Sequence, residues 1–193
     1  MTRLRVVVPL AAVLLAGCAA GPTPTGTPVP PVATAPSADA ALPSPSGIDL
    51  IFLNMMAAHT EQTLDIVRST RDRIADQELR TLVAAIGATE TDELATMRAW
   101  LAAAGPGPDP RRHDHSGHGV SATDLARLRE ATGAEVDAVL REVLAEHQQA
   151  AADLARAQLA AGTDERVRDL ARRIEQSRTA QVPLITGTPA AVD

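Results

Sequence analysis

"DLIFLNMMAAHTEQTLDIVR", residues 49–68, and "DAVLREVLAEHQQAAADLAR", residues 137–156, are two copies of one pattern. Laid over each other at an offset of 88, they match Asp49 to Asp137, His59 to His147, Asp65 to Asp153 and Arg68 to Arg156. The register runs on without a gap through Asp76 and Asp164, Arg80 and Arg168, Leu82 and Leu170, and Ile86 and Ile174. Apolar positions keep it with exchanges of type: Phe52 with Leu140, Met55 with Val143, Met56 with Leu144, Leu94 with Val182, Met97 with Ile185. A gapless internal match of this length reads as a duplicated structural unit.

Each unit carries two helical stripes. In the first, Ile48, Phe52, Met55, Met56, His59, Thr63 and Ile66 trace one face, and Leu79, Leu82, Val83, Ile86, Glu90, Glu93, Leu94 and Met97 trace another. Asp76 and Asp164 are N-cap candidates for the second helix of each unit, and Gly162 suits the turn before Asp164. Between the units lies the loop "GPGPDPRRHDHSGHG". Ser121-Ala122-Thr123-Asp124 then starts a short helix through about Arg129, which Thr132-Gly133 breaks. Strand signals are absent, because no run combines period two with aromatic and β-branched residues. The expected fold is therefore all-α: an antiparallel four-helix bundle built from two duplicated helical hairpins, about 48–105 and 136–186, with a short extra helix between them.

The ends suggest an exported, anchored chain. Arg3 and Arg5 precede an apolar run from Val6 to Ala16, too short to span a bilayer, which reads as a signal peptide over 1–17. It ends in Leu15-Ala16-Gly17-Cys18, similar to the bacterial lipobox, in which the cysteine thiol is lipidated. Cys18 is the only cysteine, so an internal disulfide is impossible and lipidation accounts for the thiol best. Residues 18–47 are rich in Pro, Thr, Ala and Ser and read as a disordered tether, which at about 3.1 Å per residue reaches roughly 90 Å. Residues 187–193 read as a disordered tail. Loss of Arg3 and Arg5 takes the formal charge from −6 to −8. With no Lys or Tyr, one Phe and one Trp, neither nucleic acid nor a polybasic membrane patch is supported.

Both units resemble the family called domain of unknown function 305 (DUF305), ferritin-like bundles of exported bacterial proteins. The first carries the family's pattern in Asp49, Phe52, Met56 and His59, then Ile86, Glu93, Leu94, Met97, Trp100, Leu101 and Gly105. The stretch "SATDLARLREATGAEVDAVL" is similar to the family's link into its second copy. Thr60 stands where the family has a second histidine, and Glu90 where it has a glutamine. In the second unit Val143 and Leu144 replace methionines, Gln148 the second histidine, Arg178 the glutamine, Gln181 the glutamate and Ile185 the last methionine. The resemblance implies a ferritin-like helical bundle and the handling of copper.

An antiparallel hairpin turning near 71–75 sets side by side those positions whose numbers sum to about 148, which brings His59 and Met56 beside Glu90 and Glu93. Imidazole, thioether and carboxylate together form a transition-metal ligand set, with Met56, His59, Glu90, Glu93 and Met97 as its members. The competing reading is a buried histidine bonded to Glu93, with Met55, Met56 and Met97 filling the core. His147 is a weaker ligand candidate, because most of its unit's donors have been replaced. His113, His115 and His118 form a second candidate site, a His-rich loop within 106–120. Catalysis has little support: Met56 and Leu144 stand where a di-iron Glu-x-x-His motif needs its glutamates, and no nucleotide-binding glycine motif occurs. Two functions remain. One is a membrane-anchored envelope lipoprotein binding copper or another transition metal, and the other is a metal-free module that keeps the fold and meets an envelope protein.

Overall fold

The computed structural model describes residue 45 and residues 47–105 and 119–187. Cys18, the tether apart from residues 45 and 47, the loop histidines His113, His115 and His118, and residues 188–193 lie outside them. The described chain forms five helices: α1 (Ile48–Thr70), α2 (Gln77–Ala104), α3 (Ala122–Glu130), α4 (Ala134–Ala161) and α5 (Glu165–Thr186). There is no strand among the described residues.

The helix ends follow from local chemistry. The Asp76 side chain accepts from the backbone N–H groups of Glu78 and Leu79, and Asp164 does the same for Arg166 and Val167, so both expected caps form. Ser121 caps α3 by accepting from the Asp124 N–H, and its hydroxyl donates to the Asp124 carboxylate at 2.6 Å. At the other end of α3, Arg73 donates to the carbonyls of Leu128, Arg129 and Ala131, which lack helical partners. Helix α2 stops at Gly105, whose φ of 78° only glycine adopts readily, and Pro106 follows.

Helices α1 and α2 form the first hairpin, and α4 and α5 the second. The hairpins meet chiefly where α1 crosses α4, and α3 lies on α4. Two apolar clusters fill the bundle. One contains Ile66, Leu79, Val83, Ile86, Leu140, Leu144 and Ile185; the other contains Phe52, Leu53, Met56, Leu94, Met97, Val167, Leu170 and Ile174. A shift of 88 carries members of each cluster into the other: Leu140 and Phe52, Leu144 and Met56, Ile185 and Met97, Leu79 and Val167, Ile86 and Ile174. The duplication is thus expressed in space as a pseudo-two-fold axis that exchanges the hairpins and their cores.

Reciprocal carboxylates lock this arrangement. Asp49, at the start of α1 and fully buried, accepts from Gln158 Nε2 at 2.6 Å, from Thr163 Oγ1 at 2.7 Å, and from the N–H groups of Thr163 and Asp164. Its repeat mate Asp137, at the start of α4, accepts from the N–H groups of Ala75 and Asp76 at 3.0 and 2.8 Å. Each hairpin therefore grips the turn of the other. Gly162 makes room for the first clasp. A Cβ there would lie 2.3 Å from Gln158 Nε2 and 2.7 Å from the Gln158 carbonyl, so the glycine is needed for this close approach and not for an unusual φ, which is −67°.

Candidate functional site

Between the two apolar clusters the helices contribute a buried polar layer centred on the histidines. His59 Nε2 lies 3.0 Å from the carbonyl oxygen of His147, and His147 Nε2 lies 3.2 Å from that of His59. The rings stack with centroids 3.6 Å apart and planes 10° from parallel. Since both partners are carbonyls, Nε2 carries the hydrogen on each ring, and the lone pair of a neutral ring sits on Nδ1. His147 is neutral at ordinary pH: burial, then the positive charge of a protonated His59, pulls its pKa down to about 3.

Beside this pair α2 and α5 place an ionic network. Arg178, 1% exposed, is the largest fully buried side chain among the described residues. Its Nη2 donates to Glu93 Oε2, and its Nε lies 3.4 Å from Glu90 Oε1 as an ion pair. Gln148 Nε2 donates to Glu90 Oε1 at 2.8 Å and to Gln181 Oε1 at 3.1 Å. Burial raises the Glu90 pKa above its ordinary value, against the opposing pull of Arg178 and of hydrogen bonds from Gln148 and Thr63. Glu90 and Arg178 are repeat mates, as are Glu93 and Gln181, Thr60 and Gln148, and the two histidines. One shared polar centre therefore lies on the pseudo-two-fold axis.

The structure distributes the residues expected at the site over two environments. Met56 and Met97 are fully buried in the same apolar cluster, on the side of the layer that holds Phe52 and Leu94. His59 and Glu90 are buried, and Glu93 largely so, in the polar layer. His59 Nε2 faces the His147 carbonyl, and Glu93 accepts from Arg178. His147, ranked lowest from sequence, is the direct partner of His59. A cavity of about 180 Å³ adjoins His147, lined also by Val120, Ser121, Asp124 and Glu146. Among the described residues no three His, Cys, Asp or Glu side chains converge as a metal-binding group. The sequence marks Arg178 and Gln148 only as departures from the family pattern; the 88-residue offset makes them the mates of Glu90 and Thr60, but it does not tell which side chains of the first unit they meet.

Comparison with known proteins agrees with this architecture. The family model described as "Domain of unknown function (DUF305)" matches residues 49–187. A DUF305 fragment from Deinococcus radiodurans is similar at 21% identity and a TM-score of 0.65, over 75% of this chain and 97% of that one. A DUF305 protein from Streptomyces coelicolor is similar at 22% identity and a TM-score of 0.64, over 71% and 87%. CopM in its Cu(I)-bound form is similar at 20% identity and a TM-score of 0.61, over 74% and 95%; its Cu(II)-bound form is similar at 23% and 0.61, over 72% and 93%. At these identities the likeness is one of fold. A comparison with curated protein sequences finds no match.

Proposed function

Because the chain belongs to the DUF305 family, with the family's domain spanning residues 49–187, we propose that it is an exported lipoprotein, anchored through Cys18, whose bundle binds copper as Cu(I) in the cell envelope. The observation that carries this reading is the placing of two fully buried thioethers, Met56 and Met97, in one cluster beside a layer of buried imidazole. Thioether and neutral imidazole are soft or borderline donors and suit Cu(I). The carboxylates fit a metal poorly, since Glu90 and Glu93 already face Arg178. The ligand set is therefore Met56, Met97 and His59, with His147 holding the His59 ring; the choice of copper as the ion is supported by the copper-bound forms of CopM on a similar fold. The loop histidines His113, His115 and His118 form a separate, weaker site for Cu(II). Export and anchoring rest on the basic start, the short apolar run and the lipobox-like Leu15–Cys18; no described helix is long and apolar enough to cross a membrane. The proposal contains no catalytic step.

The test is a Cu(I) competition titration on the Cys18→Ser chain, beside a variant with His113, His115 and His118 changed to alanine. Binding that survives the loop changes and is lost with Met56→Leu and Met97→Leu together is the expected result. Copper held by the loop alone would refute the bundle site. Mass spectrometry of the chain from membranes should find diacylglyceryl on Cys18, and an unmodified thiol would refute the anchor.

A second reading, a metal-free module that docks on another envelope protein, is favoured by a different feature. A groove of about 950 Å³ is lined by Leu79, Leu82, Ala85 and Leu184 of α2 and α5 together with Arg141, and Leu184 is 61% exposed beside it. Retention of a partner by the wild-type chain and its loss in Leu184→Asp, with no copper bound, would make this the function.

A further inference from the structure

Arg178 stands, by the pseudo-two-fold relation, where the first hairpin has the carboxylate of Glu90. A guanidinium keeps its charge under all ordinary conditions, offers five N–H donors and has no lone pair, so it cannot itself ligate a metal. The group it faces is different in kind. The side chains of Glu90 and Glu93 are 1% and 12% exposed and face one guanidinium together, a buried pair of carboxylate oxygen donors of the sort that attracts Zn(II), Mn(II) or Cu(II). A divalent ion entering there has two courses. It can displace a guanidinium that has no water to return to, or it can sit beside that guanidinium and meet like-charge repulsion in a buried, weakly screened site. Both courses are unfavourable. The soft donors are unaffected, because Met56 and Met97 belong to the apolar cluster and not to the network around Arg178.

We propose that Arg178 is a selectivity element: a built-in cation that occupies the Glu90–Glu93 carboxylate pair and so excludes divalent metal ions from the centre of the bundle, leaving Cu(I) as the ion the bundle accepts. Only the last clause rests on the copper reading. Exclusion of divalent ions depends on Arg178 and the two glutamates alone.

The experiment uses the Cys18→Ser chain with the three loop histidines changed to alanine, titrated with Zn(II) and separately with Cu(I). The parent and Arg178→Lys, which keeps a positive charge, should bind no Zn(II) where Arg178→Gln does, with a gain of at least about tenfold in affinity. Adding Glu90→Gln and Glu93→Gln to Arg178→Gln should abolish that gain, while Cu(I) affinity stays level across the series. The inference is overturned if Arg178→Gln gains no Zn(II) binding, if Arg178→Lys gains as much, or if the parent itself binds Zn(II) through Glu90. Should Arg178→Gln lack a cooperative thermal transition, its recovery on adding Zn(II) supports the inference. A transition restored only by neutralising the glutamates overturns it. A parent that binds no Cu(I) refutes the copper reading, and the Zn(II) arms still decide the exclusion separately.

Discussion

His59 and His147 are each other's hydrogen-bond partners: the Nε2–H of each donates to the backbone carbonyl of the other, at 3.0 and 3.2 Å, while the rings stack at 3.6 Å. The two residues are repeat mates, so this contact marks the pseudo-two-fold axis and joins α1 to α4 at the point where the hairpins cross. Replacing either ring by phenylalanine keeps a flat face for stacking and removes one N–H donor. His147→Phe should cost about 1–2 kcal/mol in urea unfolding. In a cycle with His59→Phe the two losses should be non-additive by about 0.5 kcal/mol or more, because they share one contact. Additive losses would mean that the rings act independently.

The same pair sets a pH dependence. His147 has an unfolded pKa near 6.5 and a folded value of about 3, so between these limits the unfolded chain binds the extra proton. Stability contributed by the neutral ring is complete above about pH 6.5 and is lost as pH falls toward 3, with a slope approaching about 1.4 kcal/mol per unit at most. Glu90 works in the opposite direction. Its folded pKa is raised from 4.5, so its contribution falls as pH rises from there through the folded value. Denaturation midpoints measured from pH 4 to 7 should rise with pH in the wild type, and His147→Phe should flatten the profile or reverse it. An unchanged profile would show that another group carries the dependence.

The Asp49 carboxylate ties the start of α1 to the turn between α4 and α5. Asp49→Ala strands the Gln158 amide, the Thr163 hydroxyl and two backbone N–H groups in a buried place, and should cost about 3–5 kcal/mol. Asp137→Ala strands two N–H groups at a more open site and should cost about 1–2 kcal/mol. Equal losses in chemical denaturation would contradict this ranking.

Gly162→Ala forces a Cβ against the Gln158 carbonyl and side chain, and should destabilise by about 1–3 kcal/mol. The strain falls on the residue that reaches Asp49, so the loss should shrink when Asp49 is already alanine. A double-mutant cycle on thermal unfolding measures this, and full additivity would separate the glycine from the clasp.

Much of this protein was legible in one dimension. The 88-residue offset, the helical stripes, the caps at Asp76, Asp164 and Ser121 and the interhairpin helix depend on interactions within a few residues, which a sequence records directly. The antiparallel register of α1 and α2 was legible too, because a short turn leaves two helices little choice of how to align, and it brought His59 to the level of Glu90 and Glu93. How the two hairpins close on each other was not. Periodicity shows that His147, Gln148 and Arg178 face inward, but not which side chains of the first hairpin they meet, since a duplicated hairpin can be closed in more than one way. Only the tertiary structure decided that His59 meets its mate His147 and Glu90 its mate Arg178. That closure stacks His147 on His59, sets Arg178 against Glu90 and Glu93, and turns Asp49 from a helix-start residue into the anchor of the opposite turn. The physical reason is that burial leaves each of these polar groups needing a partner, and the partner comes from the other hairpin, far away in the chain.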